Sequence, residues 1–266
     1  MAKFVKFRDA ASVTAAKAAS AAGDGTVHIV GTEKALVYEG NEIQGLSTWQ
    51  QSYLKNKQNE EVLSKLTVAV ALSPASGAEF TGENVNLQVT ATIKFNGTLT
   101  DVTSVTLGNQ SGKVTLTKDS TGVYHGTKSI AATTAVNGKL SFADKLYITY
   151  QGLVKEVAVN FVQYAPLKFV SGDVCEGSTI SSSTMKYVKA SAAGAYSLPI
   201  TANKYLFICL PPFMSLSSVK SSGFDVPLEA VQEVDVLFGS SNISMKYKVY
   251  RTSGKPQSTP MNIVIA

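Results

Sequence analysis

Few residues of the kinds that commonly perform catalysis or bind metals occur in this chain. Among its 266 residues there are two histidines, His28 and His125. Each lies in a strand-like pattern between apolar or small residues, far in sequence from any cysteine or acidic cluster, so the usual donor set of a zinc site is missing. A Gly-rich phosphate loop and a Gly-x-Ser-x-Gly elbow are also absent. The sequence predicts a non-enzymatic protein without catalytic, cofactor-binding or metal-binding residues.

Charge of either sign is sparse, because Asp, Glu, Lys and Arg make up 16% of the chain and the formal net charge is +5. Proteins that bind nucleic acid through basic patches carry a much higher density of positive charge, so we expect no nucleic-acid partner. No apolar run approaches the roughly 20 residues of a membrane-spanning helix. Residues 1–20 also lack the continuous apolar segment of a secretory signal. We expect a chain that is made in a cytoplasm and is not inserted into a membrane.

Cysteine is rare too, with Cys175 and Cys209 as the two thiols of the chain. Cys209 lies inside the apolar run 205–210, which is typical of a buried thiol. A disulfide between the two residues is the alternative. Nothing in the sequence requires an oxidising compartment.

Alternating sequence rich in Thr, Val and Ser is abundant instead and predicts a mainly β protein. In residues 67–164, turn signals recur about every 8–12 residues, and Asn96-Gly97 supplies the positive φ angles of a tight hairpin. Seven strands in about 100 residues are typical of an immunoglobulin-like β-sandwich, although the Cys…Trp…Cys pattern of antibody domains is missing. The predicted strands are 66–72, 84–95, 102–107, 113–118, 122–130, 145–150 and 156–164.

A second, C-terminal β-sandwich-like module is predicted for residues 165–266, beyond a boundary marked by Pro166. The apolar run 205–210 predicts a buried strand. Two segments rich in Ser and Gly, 177–184 and 215–223, predict surface loops. Further strands are predicted at 234–238, 245–251 and 261–265.

Residues 46–66 predict a short helical connector, because this stretch lacks Gly, Pro and dense β-branching. An apolar stripe with helical spacing begins at Leu46 and Trp49. Continued as a heptad, it places the polar residues Asn56 and Glu60 at core positions. Two interpretations stay open, a single amphipathic helix on its own domain and a dimeric or trimeric coiled coil.

Residues 1–45 are predicted to form a basic, Ala-rich N-terminal attachment arm with a small β-hairpin. Residues 3–8 alternate as a strand, and residues 9–22 form a weak helix or an adaptable arm. The hairpin strands are 26–30 and 35–38. Two strands this short bury little apolar surface and are marginal alone. The hairpin therefore needs a partner surface, from the rest of its own chain or from another subunit.

Two further sets of residues are candidates for a site. Glu229, Glu233 and Asp235 offer the carboxylate pair of glycoside hydrolysis, but we favour charges on the outer face of a strand. Aromatic side chains at loop tips can stack on sugars, although a chain with a single tryptophan is poorly supplied for such a surface. The aromatic candidates are Tyr187, Tyr196, Phe213 and Phe224.

Three stretches resemble virion proteins of tailed bacteriophages. Residues 25–44 are similar to the N-terminal strand–turn–strand unit of phage fibre and head-appendage proteins. Residues 205–212 and 219–228 resemble a C-terminal β-module of virion proteins from phages of Bacteroides-type gut bacteria, including the crAss-like group. Residues 248–253 and 262–266 belong to the same module.

The resemblance implies a virion component that is assembled in the cytoplasm of the bacterial host. It implies a head fibre that is anchored to the capsid through its N-terminus and projects its β-modules outward. It also implies self-association as a homotrimer or dimer, contact with a capsid or tail protein, and adhesion to the host surface, with a bacterial surface glycan as ligand. Two alternatives stay open, a capsid decoration protein and a receptor- or glycan-binding tail fibre protein.

Overall fold

The computed structural model describes residues 6–20, 26–33, 35–43, 48–257 and 260–266. Within them the chain is mainly β with sandwich-like modules, as the sequence predicts. By their internal contacts, the described residues form two compact units. The first unit comprises the described residues up to Ala69 together with Thr92–Ser104 and Ile148–Lys155, and the second comprises the rest.

The N-terminal residues form a small α/β body. Its sheet has the strand order β1-β2-β3-β4, with β1 parallel to β2 and the predicted hairpin β2–β3 at its centre. Helix α1 covers one face, where Ala16 packs against Val30, Ala35 and Val37. The partner surface of the hairpin is therefore supplied by its own chain. The elements are β1 Lys6–Asp9, α1 Val13–Ala19, β2 Thr26–Val30, β3 Ala35–Tyr38 and β4 Asn41–Glu42.

The predicted connector is helix α2, Thr48–Lys65, and it packs on the same body. Leu54 is fully buried against Ile29 and Leu36, which is the single-helix interpretation of the sequence. Both polar residues at heptad core positions, Asn56 and Glu60, are exposed. Leu46, the side chain of Trp49, and the predicted strand residues 3–5 lie outside what the structure describes.

The end of α2 is fixed to neighbouring turns of the first unit. The ammonium of Lys155 donates to the carbonyl of Leu63 at 2.9 Å and also to that of Leu66. The backbone N–H of Asn96 donates to the carbonyl of Lys65 at 3.1 Å. A cation at a helix C-terminus satisfies carbonyls that have no partner within the helix. The helix passes into the first strand of the sandwich without a linker.

The first sandwich has the strand order of an immunoglobulin-type domain. One sheet has the order β5-β7-β12-β11, the places of strands A, B, E and D, and the other contains β9-β13-β14, the places of C, F and G. At the predicted hairpin, Asn96 and Gly97 have φ of 50° and 80°. The strands are β5 Leu66–Ser73, β6 Ala78–Glu79, β7 Val85–Phe95, β8 Thr98–Leu99, β9 Ser104–Leu107, β10 Val114–Thr115, β11 Thr117–Lys118, β12 Tyr124–Ile130, β13 Lys139–Tyr150 and β14 Leu153–Tyr164.

Two predictions for this sandwich were wrong in detail. The predicted strand 113–118 is two short strands in different sheets, because the chain crosses between sheets at Leu116, which is buried. The strand predicted at 145–150 begins at Lys139, directly after the turn Asn137-Gly138. The first error concerns a change of sheet, which alternation within one segment does not encode, and the second concerns where a strand begins.

The second sandwich places its core between a five-stranded sheet, β16-β15-β18-β22-β21, and a four-stranded sheet, β17-β23-β19-β20. The predicted loop 177–184 is largely helix α3, Gly177–Ser182, which buries Ile180, and the predicted loop 215–223 contains β19. Both loop predictions were therefore wrong in part. The strands are β15 Leu167–Gly172, β16 Lys186–Tyr187, β17 Gly194–Leu198, β18 Tyr205–Leu210, β19 Val219–Ser221, β20 Phe224–Asp225, β21 Leu228–Phe238, β22 Ile243–Thr252 and β23 Met261–Ile265.

Candidate functional site

The three candidate carboxylates are exposed on β21, and each lies opposite a base on β22. The cross-strand partners are Glu229 with Arg251, Glu233 with Lys248, and Asp235 with Lys246. The carboxylates of Glu229 and Asp235 form ion pairs with the opposing bases. Opposite charges in register stabilise an antiparallel pair modestly. The partners of Glu233 and Asp235 are even-numbered residues of β22 and the partner of Glu229 is odd-numbered, so Glu229 lies on the opposite face of the sheet from the other two. The three carboxylates are therefore surface charges paired with bases, and they do not converge on one point.

The four candidate aromatic residues do not form one platform. Tyr187 and Tyr196 pack against each other, with ring centroids 4.8 Å apart, and against Phe169 in the core of the second sandwich. Burial raises the pKa of the Tyr196 hydroxyl, which donates to the carbonyl of Ala192 at 2.6 Å. Phe213 packs on Tyr164. Phe224 alone of the four is strongly exposed.

Phe224 is 78% exposed at the tip of the hairpin β19–β20. It borders an open groove of about 400 Å³. Asp225, Ser253 and Lys255 contribute polar groups to the groove, and Met261 contributes apolar surface. An exposed ring beside hydrogen-bonding groups can stack on one face of a ligand and bind its polar edge.

The two histidines have different environments. His28 is buried in the central strand β2, and its Nε2 has no hydrogen-bond partner in the described structure. His125 is exposed, and its Nε2 lies 2.8 Å from the carboxylate of Asp119. That carboxylate also accepts from the hydroxyl of Thr121 and the backbone of Val123, and these bonds lower the pKa of Asp119 far below its ordinary value. Asp119 thereby organises the turn before β12.

A junction between the two sandwiches, which the sequence did not predict, lies inside the second compact unit. We call it the sandwich junction, and it joins residues 79–83 and Pro166 to residues 238–240, Tyr247 and Lys186. The buried hydroxyl of Tyr247 donates to the carbonyl of Pro166 at 2.9 Å. The ring of Phe238 lies 5.8 Å from that of Phe80 and 6.1 Å from that of Tyr247.

Two glycines allow the backbones to approach at the sandwich junction. A Cβ on Gly82, whose φ is +83°, would lie 2.3 Å from the carbonyl carbon of Phe238. A Cβ on Gly239, whose φ is +65°, would lie 2.4 Å from the carbonyl oxygen of Gly82. Only glycine combines this conformation with this approach. Beside them, the carboxylate of Glu83 accepts from the N–H of Ser240 at 2.6 Å and from its hydroxyl at 3.0 Å.

Charged groups complete the sandwich junction. The ammonium of Lys186 donates to both carboxylate oxygens of Glu79, at 2.8 and 2.7 Å. Lys168 is buried nearby, and its ammonium donates to the carbonyls of Ile180 and Ser181 at the end of α3, at 2.8 and 2.6 Å. Burial, with a smaller contribution from Lys186, lowers the pKa of Lys168. Lys168 therefore holds α3 on the sheet, with its charge compensated by carbonyl dipoles.

Neither a metal centre nor a membrane span is found in the part of the chain that the structure describes. Its His, Cys, Asp and Glu side chains do not gather in threes around a point where a metal ion would fit. Its helices are too short or too polar to cross a bilayer. Sequence reasoning missed the sandwich junction because its partners are far apart in the chain; the isolated glycines at 82 and 239 were the available signal.

Comparison of the chain with models of protein families, with curated proteins and with solved structures found no match.

Proposed function

We propose that this chain is a non-enzymatic structural component of a bacteriophage virion, a head fibre that attaches to the capsid through its N-terminal body. In this function the two sandwiches project from the attachment point, and the chain assembles with copies of itself as a trimer or dimer. The observation that carries the proposal is the sandwich junction. A projecting element has to keep its modules in one orientation, and a flexible linker cannot do so.

The sandwich junction has the features of a permanent contact. Backbone approaches backbone through two glycines, the buried hydroxyl of Tyr247 satisfies the Pro166 carbonyl, and Glu79 and Glu83 are both paired. A linker of two residues, 165–166, joins β14 to β15. Interfaces between independently moving domains are usually more polar and less closely packed. A fibre that projects from a particle surface has to resist bending between its modules.

The N-terminal body supports an attachment role by its size. Its described cores consist of two small clusters, Ala16 with three residues of β2 and β3, and Leu54 with two. A body with so few buried side chains gains stability when a partner covers further surface. Docking on a capsid protein would supply that surface.

A binding experiment with purified phage capsids that lack this chain tests the proposal. The full chain should sediment with the capsids, and a chain without residues 1–45 should stay in the supernatant. Phe224→Ala is the matched control, because it alters an exposed residue of the other module and should bind capsids normally. Failure of the full chain to sediment with the capsids would contradict the proposal.

The same experiment separates a head fibre from a capsid decoration protein. A decoration protein clamps neighbouring capsomers and raises the melting temperature of the capsid. A fibre that attaches through a small body leaves that temperature unchanged. Saturating binding without a shift in capsid melting is the expected result, and a shift of several degrees would favour the decoration protein.

A second candidate function, adhesion to a glycan of the host surface, is favoured by Phe224 and its groove. Phe224→Ala should reduce binding of the full chain to host cells by about two- to tenfold, since stacking of an aromatic ring contributes about 0.5–1.5 kcal/mol. Val136→Ala is the control, because Val136 is also exposed, at 67%, but lies outside the groove. Equal binding of both variants would exclude this surface as the adhesive one.

A further inference from the structure

The two cysteines of the chain lie in contact in the second sandwich, although they are 34 residues apart. Their Sγ atoms are 3.8 Å apart, and both residues are buried as free thiols. Cys209 lies on the central strand β18 and is fully buried. Cys175 lies in the short segment between β15 and α3 and is 4% exposed. We propose that this pair is a site of oxidative cross-linking, at which the reduced chain acquires a Cys175–Cys209 disulfide in an oxidising environment.

The geometry requires little movement for the bond to form. A disulfide needs the sulfurs about 2 Å apart, so the gap has to close by roughly 2 Å through side-chain rotation and a small shift of the Cys175 segment. That segment is irregular, whereas β18 is held between β15 and β22. The moving partner is therefore Cys175, and β18 stays in place.

The two thiols differ in reactivity. The hydrogen bond between the two thiols lowers the pKa of Cys175, whereas that bond and burial raise the pKa of Cys209. Cys175 also follows Val174, which is 67% exposed. Cys175 itself is buried, so its thiol attacks an external disulfide when the segment that reaches the surface at Val174 moves outward.

With oxidised glutathione as oxidant, the exchange proceeds in two steps. The Cys175 thiolate attacks one sulfur of the glutathione disulfide, forms a mixed disulfide and releases one glutathione thiolate. Cys209 then gives up its proton, attacks the Cys175 sulfur and releases the second glutathione thiolate. Two protein thiols are oxidised by two electrons in total, and one glutathione disulfide is reduced to two glutathione molecules.

The cross-link would close a loop that contains α3. In the reduced chain this segment is held by the bond from the Gln232 side chain to the carbonyl of Cys175 at 3.1 Å, and by the pairing of Asp173 with Lys204 and Lys255. These ion pairs are exposed and weak. A covalent bond to β18 adds a connection that salt does not weaken. The inference does not depend on the proposed function.

The test uses the folded full chain, freed of reductant and incubated with oxidised glutathione. The expected product has lost two hydrogen atoms in its intact mass, and peptides containing positions 175 and 209 are joined until a reductant is added. Closure of a 34-residue loop should raise the Tm by roughly 5–10 °C. Native protein that keeps both thiols free, with unchanged Tm, would overturn the proposal.

Two variants test the order of attack. Cys209→Ser should accumulate the mixed disulfide of Cys175 with glutathione, and Cys175→Ser should stay unmodified because Cys209 is inaccessible. Either variant should abolish the Tm increase. Cross-linking that occurs only after addition of denaturant would show that the native contact is inert, and it would also overturn the proposal. If Cys209→Ser does not fold, the Cys175→Ser variant and the wild-type mass still decide the question.

Discussion

At the scale of single residues, Gly82 is a position where the structure tolerates little change. Gly82→Ala places a methyl group 2.3 Å from a backbone carbon of residue 238, so the bend that contains Gly82 and the end of β21 have to move apart. We expect a loss of at least about 3 kcal/mol in the free energy of unfolding, measured by urea denaturation.

Gly77→Ala is the matched control for this substitution. Gly77 also has a positive φ, +89°, but nothing lies within 4 Å of the position that a Cβ would take there. Backbone strain alone costs about 1–2 kcal/mol. The difference between the two variants therefore measures the close approach at the sandwich junction, and equal losses would mean that the approach is not tight in solution.

Tyr247 gives a prediction about pH. Burial raises the pKa of its hydroxyl well above the ordinary value, so the folded chain keeps the proton that the unfolded chain releases above about pH 10. The stability that Tyr247 provides is thus complete below pH 10 and declines as the pH rises further, by about 1.4 kcal/mol per pH unit. Tyr247→Phe should cost about 1–2 kcal/mol at pH 8, from the unsatisfied Pro166 carbonyl.

Urea denaturation of the wild type and of Tyr247→Phe from pH 8 to 11 shows whether the stability difference falls as the pH rises. The advantage of the wild type over Tyr247→Phe should shrink above pH 10. Tyr250→Phe serves as control, because Tyr250 is only partly buried. A constant difference across the range would show that the Tyr247 hydroxyl reaches solvent.

At the scale of elements, one of the described side chains of helix α2 is fully buried in its packing on the N-terminal sheet. Leu54 is fully buried against Ile29 and Leu36. Leu54→Ala should cost about 2–4 kcal/mol locally, and amide exchange should rise in β2, β3 and α2 while the second sandwich stays protected. Lys55→Ala, one residue along and exposed, should change stability by less than about 0.5 kcal/mol. An equal increase of amide exchange along the whole chain would contradict this local effect.

The edge of the long strand β21 is covered by the short helix α3. β21 ends its sheet, and an open edge of this length can pair with other chains. Helix α3 packs along it: the Ser181 hydroxyl donates to the carbonyl of Leu237 at 3.2 Å. A Cβ on Gly177 would lie 2.2 Å from the carbonyl oxygen of Asp235. The segment predicted as a loop therefore protects a strand edge.

At the scale of the whole molecule, resistance to proteolysis should differ along the chain. The small clusters of the N-terminal body open at a lower free energy than the sandwich cores. Limited trypsin digestion should first remove the residues that precede α2 and leave a fragment that contains both sandwiches. Mass spectrometry of the time course identifies that fragment. Early cleavage between the sandwiches, near residues 165–166, would contradict the packing of the sandwich junction.

Self-association is the second prediction at this scale. A chain of 28.1 kDa should sediment as a trimer or dimer at micromolar concentration. A compact monomer across the concentration range would contradict the fibre proposal. Fibres derive avidity from several copies acting together, so a monomer would lack the multivalency that the proposed adhesion requires.

Alternation and turn chemistry were enough to determine the class of the fold from the sequence. The β-rich modules, the hairpin at residues 26–38, the turn at Asn96-Gly97 and the buried strand 205–210 are encoded by neighbours in the chain. Local patterns of this kind depend on the side-chain period and on φ, which each segment specifies for itself.

Tertiary structure alone decided which segments meet. In the folded chain, residues 177–182 form a helix, and Tyr187 and Tyr196 pack in the core of the second sandwich. Cys175 lies against Cys209, and Gly82 lies against Gly239. The most distant of these pairs, Gly82 and Gly239, lies more than a hundred residues apart in the chain. These contacts depend on how two sheets stack and how strands change partners, and no periodicity within one segment carries that information.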